Sequence, residues 1–470
     1  MAQHFNIAVL GSGPGGYVAA LKAGQMGASV ACIEQHPFFG GTCLNWGCIP
    51  SKALLASAAL LHDIRRAGDF GVAAGAPSFD WPAIQARKDK IVATNRNGIK
   101  SLFRGRNVTT FQGRGRLDGP GRITIAREGA AAEEITADKI ILAVGSVPSR
   151  IPGWPTDPEI VCTSDEALHW KTLPKRLLIV GGGIIGCEFA CMMHEYGVEL
   201  TVVEMMPKFL PGLDGHLAEA LVKVFDKRGI KCLVDTKVED LQIVGGGIKA
   251  RLGSGQTIEA DRVLVATGRR PATGDIGLET AGLGVERGFV PVNDRMETAA
   301  AGIYCIGDAN GRALLAHAAS AHGVCAVENA LGHAREFDEP IPGAVYTFPE
   351  IGAVGLTQEQ CEAQQIPISI GAYPFTYHGK ALAAGDTEGF VKVIRHRESD
   401  ELLGVHILGH NATELVAIAG ALLHEKIKVK DLIEIVFAHP TMSEGLHEAA
   451  EDALKMALHL PPKKVMRVQV

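Results

Sequence analysis

The sequence predicts an α/β protein built from two glycine-turn βαβ units, with a third, α+β unit at its C-terminal end. Three observations predict it. One glycine pattern occurs twice, each time where an apolar strand turns into a helix. Each copy is followed by a later apolar strand of one repeated type. Beyond about residue 344 the texture changes to paired strands and amphipathic helices with no glycine pattern. The chain of 470 residues suggests about three domains at about 150 residues each. Hydrophobic residues at 47% and charged residues at 21% are globular proportions and exclude disorder throughout. The formal charge of −6 offers no general electrostatic hold on nucleic acid or on an anionic membrane, and neither is expected as a partner.

The first unit opens with the β-branched run Ile7 to Leu10, followed by Gly11, Gly13 and Gly16 in G-x-G-x-x-G spacing, a helical stretch, and the apolar run SVACI ending before Glu34. This is a Rossmann-like fingerprint. Gly11 allows the tight turn, Gly13 lets backbone approach a pyrophosphate, and Gly16 permits close helix–strand packing. Glu34 stands where a carboxylate accepts from ribose hydroxyls. The second unit, RLLIVGGGIIGCEFACMMHEYGVELTVVEMMP, repeats the order with Gly181, Gly183, Gly186 and Glu204. Third glycine and acid are 18 residues apart in both copies, 16 to 34 and 186 to 204. Two such units predict two dinucleotide sites in one chain.

KIILAVGSVPS and RVLVATGRRP are two versions of one closing strand, each with a glycine and a proline after it. GIYCIGDAN is a further strand, ending at Asp308, a carboxylate suited to a polyol or ribityl hydroxyl. The proline-bearing stretches PSRIPGWP and RRPATGD mark crossings between units. In the third unit FVKVIRHRESDELLGVHILG reads as an antiparallel pair, and ATELVAIAGALLHEKI and SEGLHEAAEDALKMAL as amphipathic helices, together a surface suited to a second copy of the chain. The longest apolar stretch is broken by Glu188, so no membrane span is expected. The opening MAQHFNIAVLGSG has no basic region or cleavage site, so no export signal is expected and the location is read as cytoplasmic.

Eight of the ten cysteines sit in apolar or mixed contexts, as small core residues do. Cys43 and Cys48, in FFGGTCLNWGCIPSKALL, differ. No second pair of ligands accompanies them, so no metal is expected, and a structural disulfide does not suit a reducing compartment. What remains is a redox pair, reduced and reoxidised in turnover, which needs an electron carrier and a base nearby. His439, fixed before a proline, and Glu444, at a helix start, are candidates for base and orienting carboxylate.

GGTCLNWGCIPSK, both glycine units, ATGRRP, GDA, YTFPEIGAVG and HPTMSE together resemble the flavin-dependent disulfide oxidoreductases (class I of the pyridine nucleotide-disulfide oxidoreductases) over nearly the whole chain. In Leu44, Ser51 and Lys52 the resemblance is to the dihydrolipoamide dehydrogenases among them. It implies an FAD domain (1–149 and 272–343), an inserted NAD domain (150–271) and an interface domain (344–470). One FAD per chain, tight and non-covalent, would lie on Gly11, Gly13, Gly16, Glu34, Thr42, Lys52, Gly115, Gly145, Asp308 and the stretch Leu314, Leu315, Ala316, His317, with Lys52 paired to Glu188. NAD would lie on Gly181, Gly183, Gly186, Glu204, Val238 and Gly268. Cys48 would be the thiol beside the flavin and Cys43 the one exchanging with substrate, with His439 and Glu444 as base and carboxylate.

The implied reaction is oxidation of protein-bound dihydrolipoyl groups with reduction of NAD⁺. The implied partners are lipoyl domains of 2-oxoacid dehydrogenase acyltransferases or the lipoyl protein of glycine cleavage. The implied assembly is a homodimer whose active sites are shared between chains. Two other readings are an NADPH-dependent reductase of a small disulfide, which Glu204 opposes and Lys208 alone supports, and a non-catalytic FAD/NAD-binding scaffold, which has no use for the cysteines with His439 and Glu444. Ser320 and His322 depart from the family, which often has acids there, and no cysteine follows Cys361.

Overall fold

A computed structural model describes residues 2–461; Met1 and the end of the predicted interface domain, 462–470, lie outside the described residues. The strand Gln3–Leu10 is at the centre of the first sheet, with Ile7, Ala8 and Val9 fully buried because the sheet is covered on both faces. It pairs in parallel with Val30–Glu34 on one side and Glu133–Leu142 on the other. Thr109–Gln112 extends the first side, and Ile303–Cys305 pairs in parallel with the end of Glu133–Leu142. The start of that same strand carries an antiparallel excursion, Arg122–Ala126 and then Arg114–Leu117. The sequence reading does not contain this excursion, whose strands are only four or five residues long and half-exposed.

The second sheet is all parallel, in the order Lys231–Leu233, Glu199–Val203, Arg176–Val180, Arg262–Val265, Val161–Cys162. Beside it lies a meander absent from the sequence reading, Val238–Val244, Gly247–Leu252 and Thr257–Ala260, whose first turn is Gly245-Gly246 with both residues at positive φ. The two crossings between the sheets run side by side as a ribbon of Ser146–Pro148 antiparallel to Arg269–Pro271.

The third sheet is antiparallel, in the order Gly343–Val345, Glu350–Gly355, Leu402–Gly409, Phe390–His396, Ile368–Pro374. The helix Ala412–His424 buries Ala412, Val416 and Ala419 against it. The last predicted helix is shorter than the sequence pattern, Glu444–Ala453, and Lys455 beyond it turns at positive φ.

The three layers share their core. Leu54 and Trp81 from the first unit, Phe189 and Leu217 from the second, and Val345 and Leu408 from the third form one apolar cluster. A buried ion pair crosses the seam between second and third sheets. Lys392 Nζ lies 2.9 and 2.8 Å from the two carboxylate oxygens of Asp214, and also reaches His216 Nδ1 and Gln358 Oε1 at 2.9 Å. Among the described residues no helix is long and apolar enough to cross a membrane.

Candidate active site between two glycine loops

Both glycine loops open onto one continuous cavity of about 1590 Å³. Gly11 and Gly181 make the turns at φ +103° and +113°, a region closed to residues with a Cβ. Gly16 and Gly186 serve packing, since a Cβ on them would lie 2.0 and 1.9 Å from the carbonyl oxygens of Gly11 and Gly181. Gly13 and Gly183 are different. Among the described residues, a Cβ on Gly13 would meet only the Cα of Gly41, at 4.0 Å, and one on Gly183 nothing within 4 Å. They are also the N-caps of the helices Pro14–Gln25 and Ile184–Glu195, and neither helix has a side-chain cap. Two uncapped helix ends therefore present amide N–H groups to open space, which is the donor set a dinucleotide pyrophosphate needs.

The acids closing the two units bind the loops themselves. Glu34 accepts from the amide and hydroxyl of Ser12, at 3.1 and 2.5 Å, and from the His36 amide at 2.9 Å. Glu204 accepts from the Gly182 amide at 2.7 Å and the Met206 amide at 2.8 Å. Each carboxylate offers about four lone-pair positions, so acceptor capacity remains toward the cavity that both border. Lys208 is turned away, 3.2 Å from Glu359 and 3.1 Å from the Leu213 carbonyl.

Thr42, Cys43, Cys48 and Lys52 line the cavity between the loops. Cys48 is the first residue of the helix Cys48–Arg66, where the positive end of the helix dipole favours a thiolate. Its thiol is held down to about 7, first by a hydrogen bond from Cys43 and then by the Lys52 charge, against burial. Cys43, the donor, is pushed up by that bond to Cys48 and by burial. Both cysteines are free in the structure. Lys52 Nζ lies 2.7 Å from Glu188 Oε2 and 4.4 Å from the centre of the Tyr346 ring, while the Tyr346 amide donates to Glu188 Oε1 at 3.1 Å.

Gly115, Gly145, Asp308 and the stretch Leu314 to His317 line the same cavity on the first unit's side, and Val238 and Gly268 on the second's. Gly186 does not reach it, in keeping with its packing role, and Ser320 and His322 do not border it either. The sequence reading missed Arg269. Its guanidinium donates to Ser146 Oγ at 2.7 Å and to the Ser146 carbonyl at 2.8 Å, and Ser146 Oγ in turn donates to Asp308, so the domain crossing and the cavity wall share one network. The only signal was its place after the glycine of ATGRRP.

His439 and Glu444 are not on this wall. They form a pair of their own, with His439 Nδ1 2.8 Å from Glu444 Oε1 and the imidazole side chain 80% exposed. Burial pushes the Glu444 carboxyl up, but hydrogen bonds from the Thr441 amide and from His439 outweigh it, and the group lies below its usual range. Glu444 is therefore an anion that fixes the tautomer of His439 and leaves Nε2 free to accept a proton.

The Pyridine nucleotide-disulphide oxidoreductase family matches residues 5–323, and its dimerisation domain matches residues 341–450. The chain is 38% identical over 469 residues to a dihydrolipoyl dehydrogenase of Chlamydia muridarum (99% of this chain, all of that protein). It is 41% identical over 463 residues to one of Thermus scotoductus (97% and 99%). Among solved structures, LpdA from Mycobacterium tuberculosis superposes with a TM-score of 0.89 at 29% identity over 96% of this chain and 99% of that one. The HOCl-induced flavoprotein disulfide reductase RclA from Escherichia coli superposes at 0.84 and 26% identity, over 95% and 99%. With two glycine loops, a dithiol between them and family matches over most of its length, the chain belongs to the pyridine nucleotide-disulphide oxidoreductases.

Proposed function

We propose that the protein is a dihydrolipoyl dehydrogenase, oxidising protein-bound dihydrolipoyl groups to lipoyl with reduction of NAD⁺. The observation that carries the reading is the Cys43–Cys48 pair, set on the wall of one cavity between two glycine loops, with Cys48 predisposed to be a thiolate. The cofactors are FAD and NAD, and the uncapped helix ends with their open Gly13 and Gly183 positions fit two pyrophosphates. The first unit, 1–149 and 272–343, would hold FAD, and the second, 150–271, NAD. The third, 344–470, would pair two chains about a two-fold axis, as its match to a dimerisation domain supports.

When bound, FAD supplies a two-electron carrier between the dithiol and NAD⁺. The chain's own residues do the sulfur chemistry. A substrate thiol gives its proton to Nε2 of His439, held as a base by Glu444, and the resulting thiolate attacks Cys43 Sγ of a Cys43–Cys48 disulfide. That S–S bond breaks and Cys48 leaves as the thiolate, the state favoured by Cys43, Lys52 and its helix position. The second substrate thiol then displaces Cys43, its proton passing to the Cys43 sulfur, which leaves as a thiol; the substrate has become a disulfide and both cysteines are reduced. Lys52 and Glu188 keep an ion pair against the thiol helix.

His439 would serve the partner chain. Its exposed ring and its position off the cavity wall of its own chain support this. Lipoyl domains of 2-oxoacid dehydrogenase acyltransferases, or the lipoyl protein of glycine cleavage, would be the substrates, in the cytoplasm. Steady-state assay of dihydrolipoamide and of glutathione disulfide, each with NAD(H) and NADP(H), tests the reading. Dihydrolipoamide with NAD⁺ should be the fast combination; faster reduction of glutathione disulfide by NADPH would overturn it.

A further inference from the structure

The strand Glu199–Val203, which ends the second glycine unit, runs through Glu204 into two methionines, Met205 and Met206. The backbone there is pinned from both sides. The Met206 amide donates to Glu204 Oε1 at 2.8 Å, the Met206 carbonyl accepts from the Asp235 amide at 3.1 Å, and the Glu204 carbonyl accepts from the Thr236 amide at 2.9 Å. The side chains are open. Met205 is 67% and Met206 45% exposed, and both border the cavity beside Glu204. Among the described residues the one other exposed methionine is Met456, in the third unit, which does not border the cavity. Met192, Met193, Met296 and Met442 are buried.

The place of the two thioethers gives them a use. Glu204 stands where a carboxylate accepts from the hydroxyls of a dinucleotide's adenosine ribose, and the adenine is attached to that same sugar. A thioether is polarizable and makes favourable contact with an aromatic ring. Two of them on a fixed backbone offer the adenine an apolar face whose shape adapts while its position holds. The same sulfurs are nucleophiles toward peroxides, and exposure decides which methionines are oxidised. The opening that admits the adenine therefore also admits the oxidant.

We propose that Met205 and Met206 are a reversible oxidation site through which a hydroperoxide lowers the affinity of the second unit for its dinucleotide. The inference rests on reading that unit as the NAD site. In the step, a thioether sulfur gives an electron pair to one peroxide oxygen. An S–O bond forms and the O–O bond breaks. The transferred hydroxyl passes its proton to the leaving oxygen, which departs as water or an alcohol. Sulfur is oxidised by two electrons and the peroxide reduced by two. Sulfoxide reductases fed by a dithiol reverse it, returning the oxygen as water. A sulfoxide replaces the polarizable sulfur surface by an S–O dipole, hydrated in the open site and stripped of that water when the adenine covers it. The first glycine loop and the dithiol are left untouched.

The test uses the FAD-loaded dimer, first oxidised to the Cys43–Cys48 disulfide so that no active-site thiolate competes for hydrogen peroxide. Peptide mass spectrometry should show Met205 and Met206 each gaining an oxygen, several-fold more slowly under saturating NAD⁺ or ADP, with Met456 oxidised at one rate throughout. Calorimetric titration should show the Kd for NAD⁺ rising about tenfold after oxidation, with flavin content unchanged and affinity restored by sulfoxide reductases of both epimer specificities. Each variant is compared with itself before and after peroxide. Met205→Leu/Met206→Leu should lose the response and Met456→Leu should keep it. Unchanged affinity once both sulfoxides have formed, no protection by NAD⁺ or ADP, or an equal response in the Met205→Leu/Met206→Leu chain would overturn the inference. Failure of the untreated enzyme to oxidise dihydrolipoamide would instead overturn the proposed function, with the binding and protection results still standing.

Discussion

His322 stores a stability that depends on pH. It lies on the helix Ala316–Ala330, 0% exposed, with neither ring nitrogen hydrogen-bonded among the described residues and its ring edge-on to Phe337 at 4.7 Å. Burial, and then the Arg312 charge, push it from 6.5 down to about 4. The unfolded chain therefore takes up a proton on this residue first as pH falls. Stability tied to the neutral ring is complete above pH 6.5, is lost as pH drops, and levels off below about pH 4. At 1.36 kcal/mol per pH unit, the loss amounts to about 2 kcal/mol by pH 5 and about 3 kcal/mol in all.

His322→Met removes the titration and fills the site with a flexible apolar side chain. At pH 8 the variant should be as stable as the wild type or up to about 2 kcal/mol more so, because an unpartnered buried imidazole is gone while the packing changes slightly. At pH 5 its advantage should grow by about a further 2 kcal/mol. Urea unfolding of FAD-saturated protein, at one protein concentration, measures the difference, since flavin binding and subunit association then contribute alike to both. An equal gap at pH 8 and pH 5 would refute the reasoning.

The other consequences are local. Gly183→Ala, with extended backbone and open space around a new Cβ, should leave stability within about 0.5 kcal/mol and raise the KM for NAD⁺ at least tenfold. Gly186→Ala, with a Cβ 1.9 Å from a carbonyl, should impair folding, and circular dichroism with cofactor titration separates the two. In reduced protein, alkylation of Cys48 by iodoacetamide should rise half-maximally near pH 7, and Lys52→Met should move that midpoint up; a midpoint unchanged by Lys52→Met would exclude the Lys52 charge as a cause. Lys392→Met leaves Asp214 buried and unpaired and should cost about 3–5 kcal/mol in denaturant unfolding, with Asp214→Leu added in the same chain recovering much of it.

The parts of the fold legible in the sequence were those with local punctuation. Gly11-x-Gly13 and Gly181-x-Gly183 stand between an apolar run and a helix, so strand, turn and helix could be read from about thirty consecutive residues each. The pair Phe390–His396 and Leu402–Gly409 was legible for the same reason, through the charged turn between them. Arg269 was not, because its partners Ser146 and Thr42 are 123 and 227 residues away and no periodicity links them. Nor was the neighbour of Lys52, Tyr346, whose ring arrives from the third sheet. Lys208, read as the one feature favouring a 2′-phosphate, has its charge engaged by Glu359, a contact made across the seam between units. The meander Val238–Ala260 escaped although Gly247–Leu252 alternates cleanly, because its strands are short and the alternation of Val238–Val244 is broken by a register shift between Val238 and Asp240.

The first sheet is written in two instalments. Its central strands come from the first 142 residues, but Ile303–Cys305, which pairs with Glu133–Leu142, emerges from the ribosome only after the whole second sheet has been made. The later segment also brings Asp308 and the stretch Leu314 to His317 to the cavity wall, so a nascent chain halted before residue 300 has the first glycine loop without its opposite wall. The second unit, contiguous between the crossings, faces no such delay and can close while the first still waits. If the first unit holds FAD as proposed, flavin retention would certify that synthesis has passed the second crossing, and a chain interrupted earlier would be left with an open, apolar sheet edge along Ile140–Leu142 for chaperones to shield.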